Sequence, residues 1–242
     1  YTARARLGEL LIATGRLNDG YNVVTALLAE QPGNVPAHLI LANLYRNAGL
    51  WSPGVEHCVK ALQHRPGDVR AHKLLAMIYM EMKDFPKAIA QLELLVGTFP
   101  SDLMILSNLG FCHKNIKDTG KAREAFELAA ARNPLSPVPY LHLGQMAWEN
   151  EDIDGAIAHY NKALSLDPGN LMALNNVAEL LLNYKNAPEE AYRLASEVYS
   201  KFPGNPNVSD TLGWACYHRQ EYDRAVDLLA DAVLQIPNDP VI

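Results

Sequence analysis

Apolar residues recur along the chain at the three- and four-residue spacing of amphipathic helices, in runs that are short and regularly interrupted. In one stretch, small or apolar side chains stand at 103, 106, 109 and 110, before a break at 117–120. A second set stands at 122, 125, 126 and 129. Because this spacing collects the apolar side chains on one face of each helix, the pattern predicts pairs of short helices joined by tight turns.

A regular series of prolines indicates that the helix pair is repeated in tandem. Successive members are 34, 34, 34, 34, 35 and 34 residues apart, and they are Pro32, Pro66, Pro100, Pro134, Pro168, Pro203 and Pro237. Six nearly equal intervals are the mark of repeated structural units. We number each unit so that its proline is position 32. This numbering predicts one solenoid domain over 1–242, with repeats at 1–34, 35–68, 69–102, 103–136, 137–170, 171–205 and 206–239, and a truncated further repeat beginning at 240–242.

Two positions of the repeat carry only small residues. Position 8 is Gly or Ala in all seven repeats. Position 20 is also Gly or Ala in all seven, when the sixth repeat is counted past its one-residue insertion to Ala191. Small residues at both places predict two helix backbones that approach closely. The 35-residue unit carries its extra residue near Asn183 to Pro188, which predicts one longer loop and an otherwise unchanged register.

This arrangement of small, aliphatic and proline positions resembles the tetratricopeptide repeat, whose 34-residue unit is a pair of antiparallel helices. The resemblance covers the whole chain. It implies an all-α fold, a right-handed superhelical solenoid of antiparallel helix pairs, with a concave groove lined mainly by the first helix of each repeat. The chain opens on Tyr1 rather than Met, and we expect it to be a section of a longer protein.

The resemblance also implies which residues face the groove, because positions 2, 5, 9, 12 and 13 of the first helix lie on the concave side in this family. Thioethers and aromatics repack around varied partners, so a groove rich in them suits a peptide or helix with hydrophobic anchors. The alternative is that several of them pack against the neighbouring helix. The predicted groove residues are Arg70, Lys73, Met77, Met80, Met104, Phe111, Lys114, Leu141, Trp148, Asn175, Glu179, Trp214 and Tyr217.

One known binding mode of the family is disfavoured by the same positions. Chaperone-binding members hold a C-terminal carboxylate with Lys at position 5 and Asn at position 9. Here Lys73 at position 5 is accompanied by Met77, and Asn43 at position 9 is accompanied by Leu39. Recognition of an acidic chaperone tail is therefore not expected.

Composition and charge exclude other classes of function. The 21 basic residues stand against 27 acidic ones, for a net charge of −6, which disfavours nonspecific binding of nucleic acid. The longest apolar stretches fall far short of the roughly 20 residues that span a bilayer. Compartment, whether cytoplasmic or bacterial periplasmic, stays undetermined.

The residues that could bind a metal or take part in catalysis are scattered along the sequence. Three cysteines stand far apart without a CxxC pair, and eight histidines are spread over five repeats. His38 and His72 share a repeat position in adjacent repeats. Two ligands make a poor metal site, and we expect surface histidines. Gly-rich phosphate loops and a GxSxG elbow are absent from the sequence. We predict no metal, no cofactor and no catalytic site.

The sequence therefore predicts a non-catalytic scaffold that binds a protein partner. Residues 173–182 and 209–215 resemble the closing repeats of bacterial tetratricopeptide proteins of envelope assembly and exopolysaccharide export. Two alternatives stay open: the substrate-recruiting region of a larger enzyme such as a glycosyltransferase, and a scaffold that self-associates through uncapped ends.

Overall fold

The chain is a succession of short helices. The computed structural model describes residues 2–235, and within them it has fourteen α-helices and no strand, which confirms the all-α class. The helices are α1 (Thr2–Ala13), α2 (Leu17–Glu30), α3 (Val35–Asn47), α4 (Trp51–His64), α5 (Val69–Glu81), α6 (Phe85–Val96), α7 (Leu103–Asn115), α8 (Thr119–Arg132), α9 (Val138–Glu149), α10 (Ile153–Leu166), α11 (Leu171–Asn183), α12 (Pro188–Lys201), α13 (Pro206–His218) and α14 (Tyr222–Gln235). Pro237 and the predicted further repeat at 240–242 lie outside the described residues.

The first helix of most repeats is started by a side chain at position 34 of the preceding repeat. Asn34, Asp68 and Asp102 each accept a hydrogen bond from a backbone amide in the first turn of the helix that follows. Asn170 and Asn205 do the same for α11 and α13. Such caps satisfy amides that have no partner within the helix, so the same position that closes one repeat begins the next.

The turns inside the repeats are equally regular. Three residues join the two helices of a repeat, and a left-handed residue stands in each turn, from Gly15 and Gly49 to Glu151 and Gln220. The sixth repeat differs, because four residues, 184–187, separate α11 from α12. The predicted longer loop is thereby confirmed, and the left-handed residue there is Asn186.

Small residues let the paired helices touch, as the sequence predicts. A Cβ built on Gly8 would lie 2.3 Å from Val24, and one built on Gly20 would lie 2.8 Å from the backbone oxygen of Gly8 and 2.6 Å from Ile12. Gly8 of α1 thus faces Val24 of α2, whereas Ile12, later in α1, faces Gly20, earlier in α2. The two helices are therefore antiparallel. Any larger side chain at these positions would push the helices apart.

The chain divides into two compact units, 1–125 (unit 1) and 126–242 (unit 2). In unit 1, Leu92 of α6 and Ile105 of α7 belong to one buried cluster. In unit 2, Leu164 of α10 and Leu174 of α11 belong to another. Each cluster joins helices of successive repeats, so a repeat buries its apolar face against its neighbour.

Candidate functional site

A cleft opens on the first helices of unit 1. We call it the N-terminal cleft; it has a volume of about 810 Å³. Leu39, Leu44 and Leu74 contribute apolar surface, and Asn43 and Arg70 contribute polar groups. The remaining lining residues come from α1, the start of α2, α3 and the turn that follows it: Ala5, Arg6, Glu9, Ile12, Ala13, Leu17, Pro36, Ile40, Asn47 and Ala48.

The lining of this cleft follows the repeat. Leu39, Asn43 and Asn47 occupy positions 5, 9 and 13 of the second repeat, which are groove positions in the family that the sequence resembles. The sequence prediction took groove residues only from the third repeat onward, and so it missed these three. Applying the same positions to the first two repeats would have found them.

A second cleft lies in unit 2, between α11, α13 and α14. We call it the C-terminal cleft; its volume is about 1090 Å³. Three predicted groove residues, Asn175, Glu179 and Trp214, line it together. The Asn175 side-chain oxygen accepts a hydrogen bond from the Thr211 hydroxyl. On the far side of the cleft stand apolar residues of α14, among them Val226 and Val233, which the sequence prediction did not include.

The predicted groove residues of unit 1 have different surroundings. Arg70 lines the N-terminal cleft, where its guanidinium lies 3.5 Å from the Asp68 carboxylate. The Lys73 ammonium lies 2.6 Å from a carboxylate oxygen of Asp102, so an internal ion pair occupies it. Met77 is half-buried, with its sulfur 3.6 Å from a nitrogen of Arg46.

Methionines and a phenylalanine further along unit 1 divide between packing and exposure. Met80 is half-buried against the cluster of α6 and α7, which is the packing alternative. Met104 and Phe111 are exposed, and the Phe111 ring meets Phe85 edge-on at 6.1 Å. Lys114 is half-buried and makes a contact within the chain.

In unit 2 the exposed aromatics form two groups. Trp148 is exposed beside Tyr160 and Glu179. Trp214 and Tyr217 are both exposed and stack at a ring separation of 5.1 Å, nearly parallel. Leu141, in contrast, is half-buried against the core. Large exposed aromatic surfaces are frequent at protein interfaces.

Two histidines that share repeat position 4 are buried, so the expectation of surface histidines is wrong for them. His38 Nε2 lies 2.8 Å from the Pro32 carbonyl oxygen, and His72 Nε2 lies 2.8 Å from that of Pro66. Each ring thus donates its Nε2 hydrogen to the carbonyl oxygen of the position-32 proline of the preceding repeat. His38 Nδ1 then accepts from His57 Nδ1 at 2.9 Å, while His72 Nδ1 lies 2.9 Å from the side-chain amide of Gln91.

The His38–His57 pair predicts a pH-dependent stability. Burial, and next the neighbouring His38, lower the pKa of His57 to about 4, whereas an unfolded histidine titrates near 6.5. The unfolded chain therefore takes up a proton that the folded chain refuses. We expect the urea midpoint to fall progressively as pH drops from about 6.5 to about 4.

Gln91 suggests the matched control for this prediction, because it stands at the repeat position of His57. His57→Gln keeps a partner for His38 without a titrating ring and should flatten the fall in midpoint. His64→Gln, at an exposed position of the same helix, should leave it unchanged. An equal fall of the urea midpoint in the wild type, His57→Gln and His64→Gln would contradict the assignment of this pH dependence to His57.

Comparison with known proteins decides the family. Residues 54–107 and 182–242 match one sequence profile described as tetratricopeptide repeat, and residues 116–170 and 141–206 match a second profile of the same description. The chain belongs to the tetratricopeptide repeat family. Its helix pairs are therefore tetratricopeptide repeats.

Individual relatives of this tetratricopeptide repeat chain are distant. It is 28% identical over 102 residues to "Protein STIP1 homolog" of Dictyostelium discoideum, covering 40% of this chain and 18% of that protein. It is 26% identical over 159 residues to "Peroxisomal targeting signal receptor" of Yarrowia lipolytica, covering 49% and 27%. The chain thus spans about a fifth to a quarter of these relatives' lengths.

A solved structure shows the same fold over the whole chain. A tetratricopeptide repeat protein from Parabacteroides merdae ATCC 43184 superposes with a TM-score of 0.68 at 18% identity, covering 100% of this chain and 95% of the other. At this identity the likeness establishes the fold alone.

The described part of the chain has neither a membrane-spanning helix nor a metal-binding cluster. Within residues 2–235, no helix has the length and apolar character required to cross a bilayer. Over the same residues, no three side chains of His, Cys, Asp or Glu come together as a metal site would require.

Proposed function

We propose that this chain is a non-catalytic interaction scaffold that binds a peptide or helical segment of a partner protein on the inner face of its first helices. Tetratricopeptide repeat family membership supports the general role. One relative is by name a receptor for a peroxisomal targeting signal, and recognition of a short segment is the kind of activity that we propose here.

The observation that carries the proposal is the N-terminal cleft. Most of its lining residues are apolar, and the Asn43 side-chain amide has no partner among the described residues. An amide offers both a donor and an acceptor, which matches the alternating groups of a peptide backbone. Arg70 is largely exposed and shares the Asp68 carboxylate with Arg65, so one net positive charge remains beside the cleft. We infer a ligand with aliphatic or aromatic anchors, bound through its backbone by Asn43 and favoured by an acidic side chain near Arg70.

A phage library of random dodecapeptides, panned on the immobilised 242-residue chain, tests this proposal. Peptides selected for binding should bind the Asn43→Leu variant about five- to tenfold more weakly, because two hydrogen bonds of about 1 kcal/mol or less each are lost. The position is exposed, so the thermal midpoint should not change.

Two control variants make the outcome specific. Asn22→Leu places the same change at an exposed position of α2 and should bind like the wild type. Trp148→Ala removes an exposed aromatic of unit 2 and should also bind normally. If Trp148→Ala abolishes binding while Asn43→Leu does not, the site lies in unit 2 and the N-terminal cleft is the wrong assignment.

For the cellular setting we propose assembly of the bacterial envelope or an exopolysaccharide export apparatus. The support is the resemblance of residues 173–182 and 209–215 to closing repeats of such proteins. Fractionation of cells that produce the native protein tests this setting. Recovery with the envelope fraction is expected, and exclusive recovery with ribosomes or free cytosolic protein would contradict it.

A further inference from the structure

A small pocket lies inside unit 2, between the fifth and sixth repeats. It is formed by side chains of α9, α10 and α11, and we call it the Trp148 pocket; its lining residues are Trp148, Tyr160, Asn176, Glu179 and Leu180. Described helices precede and follow these three, so the pocket belongs to the interior of the repeat array. It shares no lining residue with the N-terminal cleft.

Tyr160 places an unpartnered hydroxyl in this pocket. The side chain is 2% exposed, and it has no hydrogen-bond partner among the described residues. One side of its ring packs on Gly144, whereas the carboxylates that act on its hydroxyl are those of Glu149 and Glu179. Because Glu179 lines the pocket, the hydroxyl is directed into it. A buried hydroxyl without a partner costs free energy, which indicates that a polar group binds there.

The first helices of these two repeats carry negative charge. α9 and α11 contain Glu149 and Glu179 and no lysine or arginine. Glu149 makes a contact within the chain, whereas the exposed Glu179 carboxylate has no partner among the described residues. Burial, and next these two carboxylates, raise the pKa of Tyr160 to about 12. A negative potential therefore reaches the pocket, and its complement is a cation.

Trp148 and Asn176 add two groups that suit a cation. The Trp148 ring is 42% exposed, and a cation is attracted to the face of an indole ring. The Asn176 side chain is half-buried and has no partner among the described residues, so its carbonyl oxygen can accept a hydrogen bond. The pocket thus brings together a ring face, a hydroxyl, an amide and a carboxylate.

The volume of the pocket distinguishes between cations. It is about 20 Å³, which holds one water-sized group. A lysine ammonium is compact and has three hydrogens to donate, whereas the planar guanidinium of arginine is larger. The apolar stem of a lysine can lie along the Trp148 ring while its ammonium enters the pocket.

We propose that the Trp148 pocket binds a lysine side chain of a partner protein, with the ammonium against the Trp148 ring and donating to the Tyr160 hydroxyl and the Glu179 carboxylate. The inference rests on the proposed role as a protein-binding scaffold but not on the assignment of the N-terminal cleft. One side chain binds too weakly to be retained during peptide panning. The experiment below therefore succeeds or fails independently of the panning experiment.

A nuclear magnetic resonance titration of the isotope-labelled 242-residue chain tests the proposal. The probe is Nα-acetyl-lysine N-methylamide, and the readout is the indole N–H signal of Trp148, assigned by its loss in Trp148→Phe. At constant ionic strength we expect a saturable shift of this signal, half-complete at about 5–50 mM probe. The exposed Trp51 of unit 1 should not shift. A Trp148 signal that stays in place up to about 200 mM probe overturns the proposal.

Two further probes separate charge from shape. Nα-acetyl-norleucine N-methylamide has an apolar side chain without the ammonium and should leave the Trp148 signal in place. The arginine equivalent should shift the signal about fivefold less at the same concentration, because its guanidinium does not fit. An equal shift with the norleucine probe would show an apolar contact only, and an equal shift with the arginine probe would show no selection for an ammonium. Either result overturns the proposal.

Two variants test the groups that hold the ammonium. Glu179→Gln keeps the shape of the side chain and removes its charge, so the shift at low probe concentration should fall about tenfold. Tyr160→Phe should reduce it about threefold to fivefold without lowering the thermal midpoint, because the hydroxyl has no partner to lose.

Glu127→Gln is the matched control, since it makes the same change at an exposed position of α8. This variant should bind the lysine probe like the wild type. A shift that is undiminished in Glu179→Gln or in Tyr160→Phe overturns the proposal. So does a shift that Glu127→Gln reduces as much as Glu179→Gln does.

Discussion

Replacing Phe126 with alanine is expected to lower the free energy of unfolding by about 3–5 kcal/mol. The ring is fully buried and stacks on His142 at 4.5 Å with the two planes nearly parallel. Alanine loses the transfer free energy of the ring and leaves a cavity that rigid helices cannot close. The loss should be visible as a lower urea midpoint.

Hydrogen exchange locates the effect of Phe126→Ala. Stability in a repeat protein is a sum of local terms, so amide protection should fall most in α9, which carries His142. Leu135→Ala is the matched control, because Leu135 is 83% exposed and its truncation should change stability by less than about 0.5 kcal/mol. Similar losses from both variants would contradict the assignment of Phe126 to the core.

Replacing Gly144 with leucine is expected to give the second largest loss of stability. Here the cause is an overfilled core, whereas Phe126→Ala leaves a cavity. A Cβ at this position would lie 2.8 Å from two carbons of the Tyr160 ring, and Tyr160 is itself buried. The ring cannot swing aside into solvent without losing its own packing. Overpacking of this kind costs about 1–3 kcal/mol, and more when a second side chain must leave the core.

Gly97 provides the control for this substitution. A Cβ there would have no neighbour within 4 Å, and the residue is exposed with a right-handed φ of −60°. Gly97→Leu should be neutral in urea unfolding or slightly stabilising, since it removes backbone freedom from the unfolded chain. If Gly144→Leu were equally neutral, the close approach of α9 and α10 would not be a constraint.

The helix pairs could be predicted from the sequence because their causes are local or periodic. A side chain every three or four residues defines a helix face, and a proline every 34 residues defines the unit. The extra residue between Asn183 and Pro188 breaks the period at one place, and it therefore predicted the longer loop between α11 and α12. Small residues at positions 8 and 20 predicted that the two helices of a repeat approach closely, as α1 and α2 do at Gly8 and Gly20.

Histidine burial could not be predicted in this way. His38 is buried because it reaches back to the Pro32 carbonyl and across to His57, nineteen residues later. A polar side chain becomes a core residue when its partners arrive from another element. The sequence shows that a histidine is present, but only the tertiary structure brings its hydrogen-bond partners within reach.

Exposure of apolar residues was decided only by the tertiary structure. Leu7 and Leu41 are the same residue at the same repeat position, yet Leu7 is exposed and Leu41 is buried. Met80 and Met104 were predicted for the same groove, yet Met80 packs in a core cluster and Met104 is exposed. The sequence determined the period, the helices and the apolar face of each one. Whether a face is core, cleft or free surface depends on which neighbour lies against it, since burial is a property of the pair of surfaces and not of either helix alone.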